Sequence, residues 1–164
     1  MMVIQPLRAA LVAVSLTLAS CTTAPSEPVG WTLAPAPAPV LAFGSAGSES
    51  PTHRLSCNAD GTRLVKWAAG VPRGTAAAAG PFPTRLRVFL GRIELDLGAT
   101  ATPTQGARTI VEAALPDPAG FFDALKANGR LVTVTFAGRT MAPVPAADLV
   151  DSFKQACSGL SRQR

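Results

Sequence analysis

Apolar and polar residues alternate most regularly over residues 85–97. A two-residue turn at Gly91-Arg92, with glycine at the position where a type II′ turn needs it, would join two antiparallel strands here. That register sets Arg87 opposite Asp96, a pair that would balance charge on one face and argue against an anion-binding stripe of arginines. The opposite face would carry six apolar side chains: Leu86, Val88, Leu90, Ile93, Leu95 and Leu97.

Similar patterns predict further strands on both sides of this hairpin. The dipeptide Asp60-Gly61 favours a tight turn between two short apolar runs and so predicts a second hairpin. Residues 70–83 show neither strand nor helix periodicity and indicate a surface loop, which contains Arg73. The predicted strands outside the first hairpin cover residues 53–58, 62–67, 107–114, 130–136 and 139–142.

Two helices are indicated in the last third of the chain. Asp117-Pro118 is typical of an N-cap followed by the first helical residue, and predicts a helix through Asn128. Residues 146–158 form the second, in which apolar positions spaced by four end at Cys157. We therefore expect an α+β fold, an antiparallel sheet of about six strands with two helices packed on it, over residues 41–164. A β-sandwich with helices at its edge is the alternative.

The first twenty residues have the character of an export signal. A short head with one cation, Arg8, precedes an apolar run over residues 9–19 that is too short to span a membrane. The run ends in Leu18-Ala19-Ser20-Cys21, and this segment resembles the lipobox of bacterial lipoprotein precursors. The resemblance implies that residues 1–20 are removed and that Cys21 is the lipid attachment site. An ordinary secretory signal with a cysteine nearby is the alternative.

The same resemblance implies a location. Lipoproteins of this kind with a residue other than Asp after the lipidated cysteine are delivered to the outer membrane, and here Thr22 follows. The expected site is therefore the cell envelope, on the periplasmic face of the outer membrane. Residues 21–40 include an Ala-Pro repeat that favours an extended polyproline II tether between anchor and domain.

The cysteine count fits this location. With Cys21 acylated, Cys57 and Cys157 remain, and an even remainder in an oxidising compartment predicts a disulfide between them. The pair lacks the CxxC spacing of redox motifs, and a single histidine excludes a multi-histidine metal site.

Composition narrows the function further. The chain has 164 residues, 48% of them apolar, and a formal net charge of +5. The arginines are scattered and few aromatic residues accompany them, so nucleic acid is not an expected partner. A basic surface in the envelope would suit acidic polysaccharide, lipid phosphate or peptidoglycan carboxylates.

The sequence offers little catalytic chemistry. His53 is the sole imidazole, and its place at the start of a predicted strand favours a solvated edge residue. Each carboxylate has a simple place on a solvent face or at a helix start, and neither G-x-S-x-G nor S-x-x-K occurs. We expect no enzyme, no catalytic residue, no cofactor and no metal.

The broad outline, a cysteine-bearing hairpin followed by a meander and a helix ending in cysteine, resembles small periplasmic proteins of the invasion-associated locus B family and the membrane-bound lysozyme inhibitors. Positive charge is the wrong sign for binding cationic lysozyme. The leading hypothesis is a non-catalytic lipoprotein domain with a binding or structural role, held by its anchor and facing an envelope protein or the cell wall. The alternatives are an inhibitor or sensor of an envelope enzyme, and an unconventional cell-wall hydrolase.

Overall fold

The computed structural model describes residues 28–34, 38–45, 51–58, 60–70, 80–104 and 108–161. Within these ranges the chain forms one antiparallel sheet and two helices, and the sheet order is β1-β2-β3-β4-β7-β6-β5-β8-β9. The strands are β1 Val29–Ala34, β2 Val40–Ser45, β3 His53–Asn58, β4 Gly61–Ala69, β5 Phe82–Leu90, β6 Ile93–Thr104, β7 Arg108–Ala114, β8 Arg130–Thr135 and β9 Gly138–Pro143. The helices are α1 Pro118–Ala127 and α2 Ala147–Ser161.

The expected sheet of about six strands is wrong, because the described residues contain nine strands in a single sheet. The same finding replaces the alternative of a β-sandwich. The predicted tether over residues 21–40 is also partly sheet: β1 lies wholly within it and β2 starts at its last residue. The two strands pair with each other over six residues, and Trp31 and Phe43, which are register partners, pack their rings 5.4 Å apart. The mixture of α and β elements is as expected.

Both predicted hairpins are present. β3 pairs with β4 up to Asn58 opposite Gly61, the first residue of β4 after the turn, whose φ of 120° lies in the region that glycine alone adopts easily. β5 pairs with β6 in the predicted register, with Leu90 opposite Ile93 and Arg87 opposite Asp96. Gly91, at the first position of that turn, has a φ of 60°.

The sheet curls into a half-barrel whose outermost strands meet at one point. Trp31 of β1 donates a hydrogen bond from Nε1 to the carbonyl oxygen of Pro143 in β9, at 2.7 Å. The concave face holds the core, which includes Leu55, Leu86 and Leu131, each 0% exposed. Alternate residues of the same strands therefore point outward from the convex face.

The helices pack against the core as amphipathic elements. Asp117 caps α1 by accepting a hydrogen bond on Oδ1 from the Gly120 amide at 3.0 Å, as the Asp117-Pro118 pair predicts. Phe122 of α1 meets Phe153 of α2 edge to face, with ring centroids 5.5 Å apart. α2 also reaches β3, where Cys157 forms a disulfide with Cys57 across a Cα–Cα distance of 5.6 Å.

Candidate functional site

His53 lies in the interior and not at a solvated edge, which corrects the expectation from sequence. The residue is 0% exposed, and its Nε2 is hydrogen bonded to the Thr133 hydroxyl at 2.8 Å. Thr133 belongs to β8, and four strands separate β8 from β3 in the sheet, so this bond crosses the concave space of the half-barrel. Nδ1 of the ring is buried without a hydrogen-bond partner.

Lys66 lies beside His53, because the two are register partners on β3 and β4. Burial lowers the pKa of the Lys66 ammonium to about 8. Burial, together with the nearby charge of Lys66, lowers the pKa of the His53 imidazole to about 3. His53 is therefore neutral at physiological pH, a weak base, and shielded from any solute, so its geometry suits core packing better than proton transfer.

The convex side of β5, β8 and β9 offers a different surface. Two adjacent cross-strand rows build it, since Phe89 pairs with Val132 and Val132 with Met141, while Val134 links the two flanking arginines in the same way. We call this surface the arginine face. Its members are the six residues of these rows and Arg130, which precedes them on β8: Arg87, Phe89, Arg130, Val132, Val134, Arg139 and Met141.

The arginine face has an apolar floor and a cationic rim. An open depression of about 480 Å³ is lined by Phe89, Val132, Arg130 and Arg139, together with the turn residues beside them. Met141 stands next to it with 58% of its surface exposed. A smaller hollow lined by Arg130, Met141 and Pro143 continues the depression toward the end of β9.

The ion pairs of the convex side leave these arginines available. Asp96 lies opposite Arg87 in the expected register and feels its charge, but the ion pair itself is with Arg85, with 2.7 Å between Oδ2 and a guanidinium nitrogen. The Arg85 guanidinium also holds the pKa of the Asp96 carboxyl below its usual range. Within the described part of the chain Arg87, Arg130 and Arg139 form no ion pair.

Comparison with protein-family models, with curated protein sequences and with solved structures finds no match to this chain. Among the described residues no three His, Cys, Asp or Glu side chains cluster closely enough to hold a metal ion. No helix in those same ranges combines the length and apolar character that a bilayer crossing requires.

A second hollow, of about 190 Å³, lies between the start of β6 and the N-terminal turn of α1. Its walls are mainly apolar, and they include Leu90, Ile93, Leu115 and Phe121. Its one carboxylate, Asp117, already caps α1. This hollow therefore lacks the cationic groups that the arginine face presents to an anionic ligand.

The remaining predicted site residues divide into two groups. The disulfide of Cys57 with Cys157 is present, as the cysteine count predicts. Cys21, the signal segment 1–20 and the part of the predicted loop over residues 71–79 lie outside the described residues. Sequence reasoning missed the arginine face because it depends on β5 pairing with β8, two strands that are far apart in the chain.

Proposed function

We propose that this chain is a non-catalytic lipoprotein of the bacterial envelope, anchored through Cys21 on the periplasmic side of the outer membrane, and that its domain acts by binding through the arginine face. The observation that carries the binding role is the depression in that face, where Arg130 and Arg139 flank Phe89 and Val132. Guanidinium groups without a carboxylate partner beside exposed apolar surface are typical of recognition sites for anionic ligands.

The position of His53 supports binding over catalysis. A hydrolase with a histidine base needs that base within hydrogen-bond reach of its substrate, and the only imidazole in the sequence is fully buried against Thr133. The disulfide supports the envelope location, because such bonds persist in oxidising compartments.

The anchor is tested by intact mass measurement of the protein extracted from membranes, for the native sequence and for Cys21→Ser. The native protein should start at Cys21 and carry acyl groups, while Cys21→Ser should carry none. A native product that starts upstream of residue 21, or that carries no acyl mass, contradicts the proposal.

The non-catalytic role is tested by incubating the purified acylated protein with isolated cell-wall material. Mass spectrometry should detect no new fragments relative to a boiled sample. Fragments that the native protein releases, and that a correctly folded variant with polar side chains replaced does not release, would make the chain an enzyme. That result would overturn this part of the proposal.

A further inference from the structure

We propose that the arginine face docks on the anionic phospholipid surface of the membrane that holds the anchor, with Arg87, Arg130 and Arg139 against lipid phosphates and Met141 among the headgroups. The inference rests on the lipid anchor of the proposed function and names the ligand of the same face. It follows from where the chain enters the domain, how far the anchor can be from it, and what the face offers chemically.

The chain enters the domain beside this face. Trp31 of β1 is hydrogen bonded to the carbonyl oxygen of Pro143, and Pro143 is the register partner of Arg130. Val29 starts β1 two residues before Trp31 and is 64% exposed. The segment that leads back to the anchor therefore leaves the sheet beside β9, the edge strand that carries Arg139 and Met141.

The anchor is also close in sequence. Seven residue steps separate Cys21 from Pro28, the first described residue, and a fully extended chain spans at most about 3.6 Å per residue, or roughly 25 Å in all. With Cys21 in the headgroup region, the entry edge of the domain cannot lie farther than this from the lipid surface. A tether this short raises the effective concentration of lipid at the arginine face.

The chemistry of the face matches a headgroup layer. Arginine binds phosphate oxygens in a bidentate fashion, and an exposed apolar side chain between cations adds the hydrophobic contact that interfacial binding uses. The nearest carboxylates, Asp96 opposite Arg87 and Glu94 opposite Phe89, compensate part of the charge and leave Arg130 and Arg139 without an ion pair among the described residues. Asp96 is already bonded to Arg85, and Glu94, which is exposed, is one residue against three arginines.

The test uses the acylated mature protein reconstituted in vesicles, with the photo-crosslinking residue p-benzoylphenylalanine in place of Met141. Vesicles of phosphatidylcholine alone are compared with vesicles that also contain phosphatidylglycerol. Illumination should yield a lipid adduct, detected by mass, several-fold more abundant in the anionic vesicles, and high salt should reduce it. The same crosslinker at Gln155, exposed on α2 at the concave side, should give little adduct in either.

Charge variants decide whether the arginines drive the contact. Each arginine near an anionic surface contributes about fivefold to binding, so Arg87→Gln, Arg130→Gln and Arg139→Gln together should lower the docking equilibrium by roughly a hundredfold. The same three positions changed to lysine should keep most of the adduct, because the charge remains. Arg108→Gln, an exposed arginine of β7 outside the arginine face, is the matched control and should change nothing.

The outcomes separate the two proposals. Intact mass without acyl groups removes the proposed anchor and this inference with it. Acylated protein that gives no adduct, equal adduct in both kinds of vesicle, or an adduct unaffected by the glutamine variants overturns the docking inference alone. Crosslinking in intact cells to a polypeptide in place of lipid also overturns it, since the face would then belong to a protein partner.

Discussion

At the scale of single residues, His53 links burial to the pH dependence of stability. Its pKa falls from 6.5 to about 3 on folding. The imidazole is therefore protonated below pH 6.5 in the unfolded chain, but only near pH 3 in the folded chain. The free energy of unfolding should therefore decrease as the pH falls through this window, by up to about 5 kcal/mol from this group. Urea unfolding at a series of pH values measures it.

His53→Gln provides the comparison, because glutamine can still bond Thr133 and does not titrate. The variant should be less stable at neutral pH, yet its stability should fall less steeply toward acid than that of the native protein. Other groups titrate in both proteins, so the difference between the two slopes isolates His53. Equal slopes would mean that the imidazole is already exposed or protonated in the folded state.

At the scale of elements, the turn between β5 and β6 sets the conformation at Gly91. A side chain there would have to adopt a φ of 60°, which costs about 1 to 2 kcal/mol for a residue other than glycine, and its Cβ would collide with the Asn128 carboxamide. Asn128 is itself bonded to the Ala124 carbonyl at the end of α1, so the collision strains a second element. Gly91→Ala should therefore lower the free energy of unfolding by about 2 kcal/mol or more.

The matched control is Gly98→Ala in β6. Nothing lies within 4 Å of a Cβ at Gly98, and its φ is not in the left-handed region. Its effect should stay within about 0.5 kcal/mol of zero. If both variants lose equal stability in urea unfolding, the effect comes from adding a methyl group to the hairpin and not from the turn.

Local chemistry also explains which elements the sequence alone could predict. The β5–β6 register follows from strict alternation around Gly91, and the start of α1 follows from Asp117-Pro118, because in both cases the partners lie a few residues apart. β1 was missed because it sits beside an Ala-Pro repeat, and its main partner, Phe43, lies beyond that repeat. The composition there favours a tether, and only the pairing with β2 makes it sheet.

The arginine face could not be predicted from the sequence for the same reason. The prediction paired Arg87 with Asp96 because the two residues are opposite in register, whereas the ion pair of Asp96 is with Arg85. The rest of the arginine face comes from β8 and β9, which lie beside β5 only because strands far apart in the sequence pair with each other. The burial of His53 likewise depends on Thr133, which is 80 residues away in the sequence.

At the scale of the whole molecule, the disulfide joins a strand near the start of the domain to the last helix. It closes a loop with a sequence separation of 100 residues, which includes every strand after β3 and both helices up to Cys157. The chain-entropy argument gives a loop of this length about 4.7 kcal/mol of stabilisation, a large share of the roughly 5 to 15 kcal/mol that holds a domain folded. In this argument the disulfide stabilises the domain mainly by lowering the conformational entropy of the unfolded chain, and less through native contacts.

Replacing both partners, Cys57→Ser with Cys157→Ser, should therefore lower the free energy of unfolding by about 4 to 5 kcal/mol and move the urea midpoint far down. Cys21→Ser lies outside the closed loop and is the control, since it should leave the midpoint where it is in the native protein. Peptide mapping without reduction should recover the peptides of Cys57 and Cys157 as one linked species. A link from Cys21 to either of them would contradict the pairing of Cys57 with Cys157. A midpoint that the double variant does not move would mean that the covalent bond does not set the stability of the domain.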